Sequence, residues 1–229
     1  MDMKSNQYYK NEALSALRGN WANALVASII LVILVALALF FSSNDAINSY
    51  YQRIVINPFI GYSLSFVSLF VLLPLAVGYS NSMRVLLETG DNRLTNNSFS
   101  LGFGNWLHVV WGMVLSTIYI FLWTLLLIIP GIIKSYSYAL TPYILVEHPE
   151  MSANEAIEES MRLMDGHKFD LFYLQLSFIG WAILSILSLG LGFFWLIPYQ
   201  MTAQAAFYRD IKNGAMPLQD NVIEPERVL

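Results

Sequence analysis

Six polar side chains interrupt apolar stretches of this sequence: Lys134, Ser137, Thr141, Gln175, Gln200 and Gln204. The ammonium can only donate hydrogen bonds, whereas the two hydroxyls and three carboxamides can both donate and accept. Two readings stay open for them. In one, they hydrogen-bond between helices and fix a bundle. In the other, they line a polar site near the middle of short spans interrupted by proline or glycine, where transport sites are found. Lys134 carries the same choice on its own: it either snorkels to a nearby surface or faces a cavity.

The other reactive residue types narrow the chemistry. The chain has no cysteine, which removes disulfides, thiolate metal sites and a cysteine nucleophile. The histidines are His108, His148 and His167, with no i,i+4 pair and no H-E-x-x-H. Solvated interfacial histidines are the expectation, with a metal shared by His108 and His148 as the minor alternative. No G-x-S-x-G, P-loop or dinucleotide fingerprint occurs. All 16 acidic residues fall in loops, interfacial segments or termini. A carboxylate inside the membrane usually marks an ion path or proton relay. Its absence weakens a proton- or sodium-coupled carrier and excludes an intramembrane aspartyl protease. The expectation is a protein without catalytic residues, cofactor or metal.

The elements that must position these residues are transmembrane helices. Of 229 residues, 12% are charged and 56% hydrophobic, with a mean hydropathy of +0.53; soluble domains carry about 25% charge. The net charge of −4 offers no basic face for nucleic acid. About 20 apolar residues cross ~30 Å of hydrocarbon. Trp21–Phe41, Phe59–Ser80, Trp106–Ile129 and Leu171–Leu189 meet that length. Gly131–Val146 and Phe193–Tyr208 are shorter and follow breakers, Pro130 and Gly190-Leu191-Gly192. The first run has 21 residues, longer than a signal-peptide core of about 7–15, and is read as a retained span.

Charge asymmetry arbitrates between four spans and six. With six, 10 of the 12 Lys and Arg lie inside and only Arg53 and Lys134 outside; with four, the split falls to 8 against 4. The expected protein is therefore all-α: a transmembrane bundle over residues 1–212, with six spans and both termini cytoplasmic. A polar tail, 213–229, contains Pro217 and Pro225 and is expected to be disordered. Tyr50 and Tyr51 are placed in the first outer loop.

The spans also repeat. Gly19-Asn20-Trp21, Gly104-Asn105-Trp106 and Gly166-His167-Lys168-Phe169 each open an outgoing span. Asn11-Glu12-Ala13-Leu14 is echoed by Asn154-Glu155-Ala156-Ile157, and Pro74 and Pro198 each precede a glycine by 16 residues. Three tandem helical hairpins follow from this pattern. Before the third, Ser152–Asp165 reads as an amphipathic helix opened by a capping box, Ser152 with Glu155, and stopped by Gly166. Ile157, Met161 and Met164 mark its apolar face. It lies along the inner surface or packs under the bundle.

Several stretches resemble a known family. These are Pro130-Gly131-Ile132-Ile133-Lys134, Thr141-Pro142-Tyr143-Ile144-Leu145, Pro149-Glu150-Met151-Ser152, Gly166-His167-Lys168, Leu174–Trp181 and Trp195-Leu196-Ile197-Pro198-Tyr199. They are similar to the bacterial membrane family called domain of unknown function 975, over roughly Ala13 to Lys212 and most strongly from Pro130 onward. A looser similarity extends to the membrane regions of some glycerophosphodiester phosphodiesterases, whose catalytic soluble domain has no counterpart here. The resemblance implies an integral protein of a bacterial cytoplasmic membrane and carries over no catalytic residue. Function is then expected to be that of a non-enzymatic envelope scaffold or accessory subunit. Its partners would be the bilayer and another membrane protein or a second copy. The alternative is a transporter or permeability factor for a small or lipid-like solute, with its site between the fourth and sixth spans.

Overall fold

Ser5 accepts a hydrogen bond from the Tyr8 amide and so caps the first helix, α1 (Asn6–Leu17). The computed structural model describes residues 4–43 and 58–215, which form helices joined by turns and short irregular segments. Tyr50, Tyr51 and Arg53 of the expected outer loop, and the tail from 216 with Pro217 and Pro225, lie outside the described residues. After α1 come α2 (Trp21–Ser43), α3 (Pro58–Thr89), α4 (Leu94–Phe103), α5 (Trp106–Leu126), α6 (Ile128–Ser137) and α7 (Thr141–Glu147). Next are α8 (Ala153–Leu163), α9 (Lys168–Leu176), α10 (Ile179–Leu187) and α11 (Phe193–Ala215). The last helix thus runs three residues into the expected tail.

Among the described residues, three helical stretches are long and apolar enough to cross a membrane: Phe70–Thr89, Trp106–Leu126 and Lys168–Leu187. A fourth is reached if α1 and the start of α2 count as one span, but they meet at 99°. Gly19, at φ +82°, makes that elbow.

The short helices α1, α4 and α8 share one burial pattern. Counting back from Gly19, Gly104 and Gly166, the residues ten, six and two positions earlier are buried in all three. They are Tyr9, Ala13 and Leu17; Leu94, Ser98 and Gly102; Ala156, Ser160 and Met164. This register differs by one helical turn from the Asn-Glu-Ala echo in the sequence, which aligns Ala13 with Ala156. Gly166 is left-handed at φ +79° like Gly19, whereas Gly104 keeps right-handed helical angles. The expected capping box of α8 is present, with Ser152 and Glu155 bonded reciprocally. Its buried face is Ala153, Ala156, Ile157, Ser160 and Leu163. Met161 sits at the edge of that face.

Two expected spans contain a turn, and the second, Leu171–Leu189, still lies largely within the single apolar stretch Lys168–Leu187. Pro142 has no amide hydrogen, so it cannot continue a helix from the preceding turn, but it is tolerated in the first turn of a new one. Accordingly Gly131–Val146 divides into α6 and α7 around a turn at 138–140. Ser160 of α8 services the break: its hydroxyl donates to the Ser137 carbonyl (2.8 Å) and accepts from the Leu140 amide (3.2 Å). Leu171–Leu189 divides at Ser177, whose hydroxyl competes with the backbone by donating to Leu174 O (2.6 Å). Pro74 and Pro198, by contrast, lie inside α3 and α11. The carbonyl that Pro74 leaves free, Phe70 O, accepts the Trp106 indole N–H at 2.9 Å.

Candidate functional site

Helices α3, α7 and α11 each carry a charged residue in or near their last turns, Arg84, Glu147 and Lys212, and these meet. Glu147, the last residue of α7, accepts from Arg84 Nη1 of α3 at 2.7 Å and from Lys212 Nζ of α11 at 2.8 Å. The Tyr208 hydroxyl donates to the same carboxylate. Arg84 also bonds Glu88 (2.8 Å) and, through Nε, Asn81 Oδ1 (3.2 Å). Asn81 in turn donates to Pro142 O (2.9 Å), at the head of α7. The cluster holds two cations and two carboxylates, so its formal charge is zero. The Arg84 and Glu147 side chains are only 9% and 11% exposed. Burial alone would raise the Glu147 pKa. The hydrogen bonds from Lys212 and Tyr208, with the Arg84 charge beside them, outweigh burial and hold it below the ordinary carboxylate value. Tyr143 of α7 stacks on Tyr208 with ring centroids 4.8 Å apart, sealing one side.

A second set ties α1 to α11. Asp210 accepts from Tyr9 (2.8 Å) and Lys4 (2.7 Å), and Arg209 pairs with Glu12. Lys10 donates to Ser177 O at 2.8 Å, capping the α9–α10 break.

The six residues singled out in the sequence fall in several places. Lys134 turns toward α8: its Nζ is 3.5 Å from Met161 Sδ and lies over the Trp123 and Tyr138 rings, at 5.1 and 5.9 Å. Ser137 is buried, donates to Ile133 O and receives Ser160 at its carbonyl. Thr141 is fully buried, and its hydroxyl has no hydrogen-bond partner among the described residues. Gln175 accepts the Tyr136 hydroxyl at 2.9 Å. Gln200 and Gln204 are half-buried, one turn apart on α11. Lys134 and Gln175 therefore both reach side chains of neighbouring helices, through α8 and α6.

A cavity of ≈ 490 Å³ is lined by none of these six. Its walls are Leu14 and Trp21 at the α1–α2 elbow, Trp181 and Ser185 on α10, and Trp195 and Tyr199 on α11. The histidines are separate from it. His148 and His167 pair locally with Glu150 (3.0 Å) and Asp170 (3.1 Å). No group of three or more His, Asp or Glu among the described residues is arranged to hold a metal ion.

The acid–base cluster was not anticipated from the sequence, where Arg84 and Lys212 counted only as inner-face charges and Glu147 as a loop acid. The available signal was a charged residue near the C-terminal end of each of α3, α7 and α11.

No curated protein and no solved structure matches the chain. One family model does match, over residues 108–215, from the first turn of α5 to the end of α11. That span contains Glu147, Tyr208 and Lys212 but not Arg84, and it covers the later part of the range over which the sequence resembles the family. Over residues 108–215, a little under half of its length, this chain matches the model of the family described as "Protein of unknown function (DUF975)".

Proposed function

We propose that the chain is a six-span protein of the bacterial cytoplasmic membrane, with both termini cytoplasmic. It acts without catalysis, as a scaffold or accessory subunit of an envelope assembly. Its spans form three hairpins: α2 with α3, α5 with α6–α7, and α9–α10 with α11. The observation that carries this reading is the neutral cluster of Arg84, Glu88, Glu147 and Lys212, which joins the returning limb of every hairpin. Charged groups spent on one another fix a shape rather than a substrate. The outward faces support the membrane setting: Leu125, Leu126, Ile128 and Ile129 at the α5–α6 tip, and Ile186, Leu187 and Leu189 at the end of α10, are exposed and wholly apolar.

A second reading, transport of a lipid-like solute, is favoured by the ≈ 490 Å³ cavity. It would place the solute against Trp181 and Trp195 rather than between α6 and α11.

Mild detergent extraction followed by mass spectrometry separates the two. The scaffold reading expects a stoichiometric protein partner or a second copy. Repeated recovery as a lone monomer, from cells that need the protein, overturns it.

A further inference from the structure

The cavity at the α1–α2 elbow combines an apolar trough with two cations, one helical turn to either side of its Leu14 wall, that form no salt bridge among the described residues. Three indoles, from Trp21, Trp181 and Trp195, with Leu14 and Tyr199, form its walls. Gly192 packs so close to Ser185 that a Cβ there would lie 2.6 Å from the serine hydroxyl, so the trough closes where α10 turns into α11. Leu184 lines the cavity and is also 58% exposed, which opens the trough sideways onto the apolar outer face of α10. Lys10 stands one helical turn before Leu14, and Arg18 caps α1 one turn after it. The Lys10 ammonium lies 4.6 Å from the Phe178 ring, and that ring stands edge-on to Tyr199 at 5.0 Å. Neither Lys10 nor Arg18 forms a salt bridge among the described residues.

We propose that this cavity holds one acyl chain of an anionic phospholipid, with the phosphate against Lys10 and Arg18. The inference rests on the membrane reading above. The volume decides against a protein occupant: ≈ 490 Å³ houses little more than one turn of a helix ~10 Å across, but lies within the range of about 300–1,000 Å³ used by small ligands. Lateral access from the α10 face suits a chain already in the bilayer. The two cations select the head group, and they lie on the side where anionic lipid is concentrated if the termini are cytoplasmic. Each cation near an anionic lipid surface strengthens binding by about fivefold.

The test uses full-length protein mixed with vesicles of equal parts phosphatidylglycerol and phosphatidylcholine, then extracted and weighed by native mass spectrometry. One retained phosphatidylglycerol is expected, preferred over phosphatidylcholine by about tenfold or more. Lys10→Gln with Arg18→Gln should bring that preference close to one while a chain is still retained. Leu14→Trp, filling the trough from a partly exposed position, should release the lipid. As a measurement without a filled trough, phosphatidylglycerol with brominated chains should quench wild-type tryptophan fluorescence more than that of Trp181→Phe with Trp195→Phe. Equal retention of both lipids by wild type and the Lys10/Arg18 variant overturns the inference, as does quenching indifferent to the tryptophan changes. Failure of the chain to sediment with the vesicles overturns the membrane reading itself.

Discussion

Glu147→Gln should destabilise the protein by about 3 kcal/mol, because it leaves Arg84 and Lys212 close together with one carboxylate fewer. The full cost of stranding a buried charge, about 3–5 kcal/mol, is reduced here because Lys212 and Glu88 are each more than a quarter exposed. For a chain of this size, 3 kcal/mol lowers the melting temperature by roughly 6–12 °C. In an Arg84→Met background the same substitution should cost less, since the guanidinium that needs Glu147 is gone. Equal costs in the two backgrounds would mean that the pair is not coupled. Acid should act in the same direction. The folded-state pKa of Glu147 is depressed, so its contribution is present above the ordinary carboxylate pKa and is lost as pH falls through the depressed value. Thermal melts of the detergent-solubilised protein should therefore fall steeply on the acid side, and the Glu147→Gln variant should lose part of that slope.

Gly102→Ala should cost about as much for a different reason. Its Cβ would lie 2.0 Å from the Pro74 carbonyl oxygen, and a Cβ on Gly78 would lie 1.9 Å from Ser98 O. Both obstacles are backbone and cannot rotate away, so α4 must lift off α3. Overpacking of this kind costs about 1–3 kcal/mol or more. The Ser98–Ser82 hydroxyl contact (3.1 Å) between the same two helices should be lost with it. Gly180→Ala is the control: nothing lies within 4 Å of its Cβ, and alanine improves helix propensity by about 1 kcal/mol. If the two variants melt alike, α3 and α4 are not packed as described.

These two sites show which physical signals the sequence carries. Helical class, the long apolar segments, the capping box of α8 and the glycines at the elbows are local, and all were readable from residue types and spacing. The resemblance was readable too, and it proved firm over residues 108–215. The α3–α4 contact was not, because Gly78 and Gly102 look ordinary until two backbones are seen to touch. In α6 the close approach of Gly131 is to Thr124 of α5, across the tight turn that joins the two helices. The Glu147 cluster joins residues 61 to 65 positions apart, and no spacing rule marks such pairs. Lys134, judged by its distance from the end of a span, was placed near an outer boundary. Its side chain reaches Met161 of α8, a contact that sequence periodicity does not mark.

The central claim is six spans in three hairpins, and the absence of native cysteine makes it directly testable. Single cysteines would be placed at Asn92 between α3 and α4, Leu127 between α5 and α6, Glu150 between α7 and α8, and Leu189 between α10 and α11. Intact cells would be treated with a membrane-impermeant maleimide, before and after permeabilisation. The account predicts labelling of Leu127→Cys and Leu189→Cys in intact cells, and of Asn92→Cys and Glu150→Cys only after permeabilisation. Labelling of Glu150→Cys from outside would contradict it, because α6 and α7 would then not return across the membrane.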